Sequence, residues 1–458
     1  MARSGDSDEV CRKAEALIAR VAQSDLFVHD REILVARAPG RLDVIGGIAD
    51  YSGSLVLEWP IAEATFVAIQ RDPRPTLVFV SRDRMWATSV QQLLSLGYPD
   101  ALAHFSADPK SHWTAYVAGA FIVLAHECNA HFTEGARILI TSSVPEGKGV
   151  SSSAALEVAA MTAIAAAYGI SLEPRQLALL CQKVENLVAG APCGAMDQMT
   201  ASLGESGRLL ALLCQPAELY GTFQLPSELA FWGIDSGVRH AVTGTEYGVV
   251  RAATFMGRRI LEGITGRDFG YLTNVTPEEF SELSDDLPER MSGREFLDRF
   301  GGTADPLSTI DPDRVYPVRG AASHPVHEHV RARTFAELLS QWGNGDSTRT
   351  ATGEDRASRL GALMYESHES YSACGLGSGG TDALVRLLRR AGARAGVYGA
   401  KITGGGRGGT VAVLSRADSG PLVNTIATEY AHRCGIAPRV FGGSSSGSAA
   451  WGVCTVRR

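Results

Sequence analysis

The segment from Ser142 to Ile164, SSVPEGKGVSSSAALEVAAMTAI, constrains this chain more than any other. Pro145, Gly147 and Gly149 break regular structure immediately before a run of strong helix formers, and Ser151, Ser152 and Ser153 fall in the first turn. A glycine-bearing loop that feeds a helix leaves unpaired N–H groups and the positive end of the helix dipole facing the loop, which suits phosphate. A serine-capped buried helix would use the same residues, so the segment alone leaves both readings open. It is not a Walker A loop, because Lys148 stands inside the loop and not after its last glycine.

Three further segments add chemistry. Lys401–Leu414, KITGGGRGGTVAVL, has five glycines in six positions between two apolar strands, and by itself reads as a tight hairpin. Ala36–Ile61 sets Arg41, Asp43 and Asp50 in an apolar stretch with Gly46, Gly47 and Gly53. Charged residues in such a setting are either paired structurally or project into a cleft, and arginine offers a bidentate fork to phosphate or carboxylate. Cys181–Ala201 places Glu185 on a helix and Asp197 twelve residues later, beyond a Gly/Pro/Cys loop. Two acids flanking a loop, in a chain with phosphate-cradling glycines, suit Mg²⁺ coordination and proton abstraction.

The 458 residues carry a net charge of −7 with no basic block, which excludes a nucleic-acid partner. The eight cysteines are scattered without a C-x-x-C pair, as expected for buried thiols in a reducing compartment. The polar N-terminus lacks the apolar core of a signal peptide, and the longest apolar stretch, from Ala154, is interrupted by Glu157 and too short to span a bilayer. A cytoplasmic location, without a membrane partner, is expected. Strands are predicted at Ile33–Arg37, Ser54–Ile61, Thr65–Gln70, Thr76–Val80 and Ala136–Thr141, and helices from Ser151, over Pro174–Val188 and from Tyr247. Residues 262–325, rich in Asp, Glu, Pro and Arg, read as a helical or irregular insert.

Taken in this order, the four segments resemble the GHMP kinase superfamily. The match rests on P-x-G-x-G-V-S-S-S-A-A at Pro145–Ala155, A-P-G-R at Ala38–Arg41 and T-G-G-G-x-G-G at Thr403–Gly409. The galactokinase branch is singled out by A-G-x-P-C-G-x-M-D-Q at Ala189–Gln198, V-R-H at Val238–His240 and T-E-Y at Thr245–Tyr247. Within it, ACGLGSGGTDALV at Ala373–Val385 is similar to the kinase portion of plant-type L-arabinokinases.

The resemblance implies an α+β, two-lobed fold with mixed and antiparallel sheets flanked by helices and the site between the lobes. The lobes would span 1–230 and 231–458, the second holding the 262–325 insert and the 403–409 loop. It implies ATP as phosphate donor, a monosaccharide as acceptor, and a monomer or homodimer. Asp197 would take the proton of the anomeric hydroxyl and Arg41 would stabilise the alkoxide. Asp43, Gly47, Asp50 and Tyr247 would meet the sugar. Trp113, Pro145, Gly147, Lys148, Gly149, Val150, Ser151, Ser152, Ser153 and Ala154 would meet ATP, with Mg²⁺ on Ser153 and Glu185. Galactokinases carry G-E-H-T-D-Y where this chain has Gly46-Gly47-Ile48-Ala49-Asp50-Tyr51. Their Glu binds the sugar's 6-hydroxyl, so its loss suits L-arabinopyranose, which is galactopyranose without the hydroxymethyl group. Galactose or a uronic acid are the alternative acceptors, and a non-catalytic sugar sensor the remote one.

Overall fold

Two long strands, Glu32–Ile45 and Leu55–Asp72, run antiparallel and are buried along nearly their whole length. Their near-continuous apolar runs, rather than a clean alternation, reflect cover on both faces. In the computed structural model, which describes residues 6–238, 245–342 and 352–457, they form the centre of an eight-stranded sheet. Its order is Val453–Arg457, Glu32–Ile45, Leu55–Asp72, Gly135–Ser142, Thr76–Ser81 and Arg84–Ser89, with Arg208–Leu213 and Glu218–Gln224 branching from Leu55–Glu58. The helices Ala115–Cys128 and Ser152–Ala167 pack on one face through Ala36, Ala38, Val67 and Ile69.

A second, four-stranded antiparallel sheet runs Val397–Ile402, Thr410–Arg416, Leu229–Asp235 and Val440–Gly442. The two sheets share one core, in which Leu42, Val44 and Leu57 meet Phe335, Leu360, Ala412 and Phe441. The fold is thus the mixed, two-lobed α+β arrangement expected. A boundary at 230/231 misses one return: Val453–Arg457 pairs with Glu32–Ala36, covering the edge of the first sheet with the end of the chain.

Two predicted strands, Ser54–Ile61 and Thr65–Gln70, are one. Ala64 and Thr65 keep pairing with Pro39 and Ala38, and register shifts at Pro39/Arg41 and Asp43/Ile45 absorb the prolines. Residues 262–325 are a packed layer of short elements, including helices Pro277–Leu283 and Gly293–Phe300. Leu272, Phe280, Met291 and Phe296 from this layer bury against Val250, Met256 and Ile260 of the Thr245–Thr265 helix. Elements this brief carry little periodicity, which is why the sequence read as irregular. The long helix Val318–Ser340 begins inside this segment and accommodates Pro325 internally. No helix of the described residues is long and apolar enough to cross a membrane.

Candidate active site

The strand irregularity at Pro39/Arg41 turns Arg41 inward, where only 3% of it is exposed. Its Nε and Nη2 donate to Asp197 Oδ1 at 3.0 and 2.7 Å, and Nη1 donates to the Gly149 carbonyl at 2.7 Å. On the neighbouring strand, Glu58 Oε2 lies 3.1 Å from Arg41 Nε. Burial disfavours the guanidinium's charge, but Asp197, Glu58 and Asp43 outweigh it and hold Arg41 above its ordinary range. Asp197 stands in the first turn of the Met196–Leu203 helix. Its other oxygen accepts from Ser151 Oγ at 2.5 Å.

That contact joins the pair to the phosphate loop. Gly147, Gly149 and Ser151 all take positive φ, and the helix starts at Ser152. The C-terminal glycine loop interlocks with it: a Cβ on Gly149 would sit 2.9 Å from the Thr403 carbonyl, and one on Gly404 2.7 Å from the Gly149 carbonyl. The second glycine segment, which alone reads as a hairpin, is therefore also a wall of the cleft, lined by Gly404 and Gly405.

The cleft, partly open to solvent, spans about 690 Å³ and brings together Arg41, Asp50, Gly147, Gly149, Ser151, Ser152, Ser153, Glu185, Asp197 and Tyr247. Asp50 opens the turn Asp50–Ser52, and its Oδ1 is buried with no hydrogen-bond partner among the described residues. Such an atom is costly unless something bonds to it. Burial, then the charge of Asp197, push its carboxyl up to about 6 despite the opposing Arg251. Gly194 backs this carboxylate so closely that a Cβ there would fall 1.9 Å from Asp50 Oδ2.

Glu185 lies in the π-helical turn Val184–Ala189. Its carboxyl is pushed up to about 7 by burial and by Asp197, while hydrogen bonds with Ser153, Cys193 and Gln198 pull it back. Gln198 Nε2 donates to it at 2.5 Å and to buried Glu157 at 3.1 Å. One carboxylate and one hydroxyl beside the glycine loop and helix start form a hard-oxygen donor set. That set fits Mg²⁺ shared with substrate phosphates, not an all-protein cage.

Several expected contacts are placed elsewhere. Asp43 and Gly47 do not line the cleft: Asp43 is fully buried and bonded to Lys401 Nζ at 2.8 Å and Tyr371 Oη at 2.9 Å. Ile48, which the sequence set beside Gly47 in the sugar motif, does line the cleft, at φ +50°, as do Cys193, Gly194 and Met196, which sequence reasoning had not assigned to the site. Lys148 pairs with Asp235 at 3.0 Å, so its ammonium already has a partner across the lobes. Trp113 also lies outside the cleft lining, with the Arg84 guanidinium 5.1 Å over its ring. Pro145, Val150 and Ala154 support the loop from behind, and the Val150 carbonyl accepts from Arg41 N at 3.1 Å. Arg239 and His240 lie outside the described residues.

Comparison with known proteins places the chain in a family. Residues 115–205 match the GHMP kinases N terminal domain, 349–432 the GHMP kinases C terminal domain, and 24–71 the galactokinase galactose-binding signature. An L-arabinokinase of Arabidopsis thaliana is 41% identical over 99% of this chain, which spans about half (49%) of that protein's length. A galactokinase of Chloroflexus aggregans is 32% identical, covering 88% of this chain and 89% of its own. Among solved structures, Lactococcus lactis galactokinase complexed with galactose superposes with a TM-score of 0.75 at 20% identity, covering 97% of this chain and all of its own. A mevalonate kinase superposes at 0.52, with 14% identity over 90% of this chain and 99% of its own. The chain therefore belongs to the GHMP kinase family, in its galactokinase branch.

Proposed function

We propose that this chain is an ATP-dependent sugar 1-kinase that works in the cytoplasm and prefers L-arabinose. The observation that carries the reaction class is the Arg41–Asp197–Ser151 constellation, which faces both the phosphate loop and Asp50 in one cleft. Asp50 and Tyr247 hold ring hydroxyls, and the unpartnered Asp50 Oδ1 gains its bond from the sugar. Asp197 takes the proton of the anomeric hydroxyl, and Arg41 stabilises the oxygen as it attacks the γ-phosphorus in line. The loop amides from Gly147 to Ser153 hold the phosphates of ATP. Mg²⁺, on Glu185 and Ser153, supplies charge neutralisation when bound.

The pentose preference rests on what replaces Glu-His of the galactokinase motif. Gly47 brings no acceptor, and Ile48 presents hydrocarbon to the cleft. A uronic acid would need a cation. Among the described residues lining the cleft Arg41 is the sole one, and Asp197 engages it. The insert adds no cation to this lining; its Asp305 pairs with Arg251 at 2.8 Å outside the cleft. An ADP-release assay over L-arabinose, D-galactose, D-glucuronate and D-galacturonate tests the reading. Turnover fastest with L-arabinose is expected, and a tenfold preference for galactose would remove the pentose assignment.

A further inference from the structure

Behind the Gly46–Asp50 turn, out of the cleft, lies a cluster of buried polar groups that the reaction does not use. Asp43 and Lys401, on strands of different sheets, are both fully buried and bonded at 2.8 Å. Tyr371, from the Gly353–Ala373 helix, donates its hydroxyl to Asp43 Oδ2 at 2.9 Å, and Lys401 Nζ sits 4.8 Å over its ring. Thr403 Oγ1 accepts from Asp43 N at 2.7 Å. The remaining Asp43 oxygen accepts from Gly47 N at 3.2 Å. His324 bonds the Gly47 carbonyl through Nε2 at 3.1 Å and stacks edge-on against Tyr371 at 5.3 Å. Both polar backbone groups of Gly47 are thus held from behind.

Two geometric facts give this cluster a role. A Cβ on Gly47 would lie 1.9 Å from Asp43 Oδ2 and 2.2 Å from Tyr371 Oη, so Asp43 and Tyr371 fill the space a side chain at 47 would need. The next residue, Ile48, is 1% exposed and adopts φ +50°, a conformation rarely taken by a β-branched residue unless its surroundings impose it. Ile48 lines the cleft beside Asp50 and belongs to the buried apolar cluster that also holds Tyr51 and Tyr371.

We propose that the buried Asp43–Lys401–Tyr371–His324 cluster determines sugar specificity by clamping Gly47, so that strained Ile48 closes the pocket against any substituent on C5 of the sugar. The inference rests on the sugar-kinase reading and assigns its selectivity to a wall and its support. Asp43, Tyr371, Lys401 and His324 are positioning residues: they act on the sugar through the backbone of Gly47. A buried ion pair with its hydrogen bonds satisfied suits such a task, since it fixes one arrangement even where it adds little stability.

The clamp also implies that restoring glutamate at 47 does not recreate a galactokinase. Gly47→Glu must displace Asp43 and Tyr371, and it is expected to lose activity on every sugar.

The test is steady-state kinetics of the full chain with L-arabinose, D-galactose and 6-deoxy-D-galactose. Wild type is expected to favour arabinose at least tenfold over both hexoses. Ile48→Ala should narrow that ratio at least tenfold. Tyr371→Phe should narrow it at least threefold, through KM for the sugar and not KM for ATP. Ile48→Val, which keeps the fold, should narrow the ratio for the 6-deoxy sugar first, and it decides the matter if either other variant fails to fold. Ratios retained within twofold in the folded variants overturn the wall while leaving the arabinose reading intact. A wild type that favours galactose overturns both. Gly47→Glu active on galactose overturns the clamp.

Discussion

Arg41 and Asp197 meet through two bonds to a single carboxylate oxygen, at 2.7 and 3.0 Å, which leaves the other oxygen to Ser151. This division sets the orientation of the carboxylate, and the oxygen bonded by a neutral hydroxyl is the one free to exchange that partner for a substrate proton. Asp197→Asn keeps the shape and removes the basicity. The expected result is a loss of about 10²–10⁴-fold in kcat with sugar affinity largely held. Glu58 remains 3.1 Å from Arg41, but burial pushes its carboxyl well above the ordinary range, so loss of the Asp197 charge leaves the buried guanidinium poorly compensated and the melting temperature should fall. Near-normal kcat would take the proton-accepting role from Asp197.

The buried Asp50 carboxylate costs the fold stability at neutral pH. Its carboxyl, ordinarily near 3.8, stands at about 6 in the fold because of burial first and Asp197 second. The folded state therefore takes up the proton first: the associated stability is present below 3.8 and lost as pH rises through 6. The difference is worth up to roughly 3 kcal/mol. Asp50→Asn should stabilise the protein by about 1–3 kcal/mol in denaturant titrations at pH 7.5, and hardly at all at pH 4. It should also raise sugar KM at least tenfold. A variant that is no more stable at pH 7.5 than wild type would mean the charge is compensated in the fold.

Much of this site was legible because it is local. The phosphate loop, the Arg41 motif and the Gly-Ala-Pro-Cys-Gly-Ala-Met-Asp run each hold their chemistry within a few residues of one another. What stayed hidden is pairing at a distance. Asp43 finds Tyr371 and Lys401 at separations of 328 and 358 residues, and one sequence states their types but not that they meet. Asp43 was expected to touch sugar by its match to a family position, and nothing local spoke against it. Lys148 was grouped with the ATP-facing loop residues without sight of Asp235. A lysine between Ala400 and Ile402 in a buried strand was the one available signal, since a strand interior accepts an ammonium only with a partner.

Gly194 is the counterpart of Gly47 on the opposite side of Asp50. A methyl at 194 would meet Asp50 Oδ2 at 1.9 Å, and the carboxylate would have to swing away from the sugar. Gly194→Ala should cut kcat/KM for the sugar by about 10²-fold, the scale of an ångström-level misplacement. KM for ATP is expected to stay within about twofold of wild type, because ATP would contact the glycine loops. Equal losses for both substrates would place the damage in the fold instead.

His324 should show itself in acid. The Gly47 carbonyl can only accept, so Nε2 carries the proton and Nδ1 accepts from Ser370 Oγ at 2.7 Å, which leaves the ring neutral. Burial, partly offset by Glu328, lowers its pKa from 6.5 to about 4. The stability that depends on the neutral ring is complete above pH 6.5 and is lost as pH falls through 4, by up to roughly 3 kcal/mol. Burial holds His329 and His368 near 4 as well, while the raised carboxyls of Asp50, Glu58, Glu157 and Glu185 act in the opposite sense over the same window, so the His324 contribution is read from the difference between variant and wild type. His324→Asn should therefore be less stable than wild type at pH 7.5, by about 1 kcal/mol for the lost hydrogen bond. Its stability relative to wild type should then rise toward pH 5 in urea titrations at matched ionic strength. Parallel curves for the two proteins would remove His324 from the acid response, because a ring that titrates normally contributes no slope.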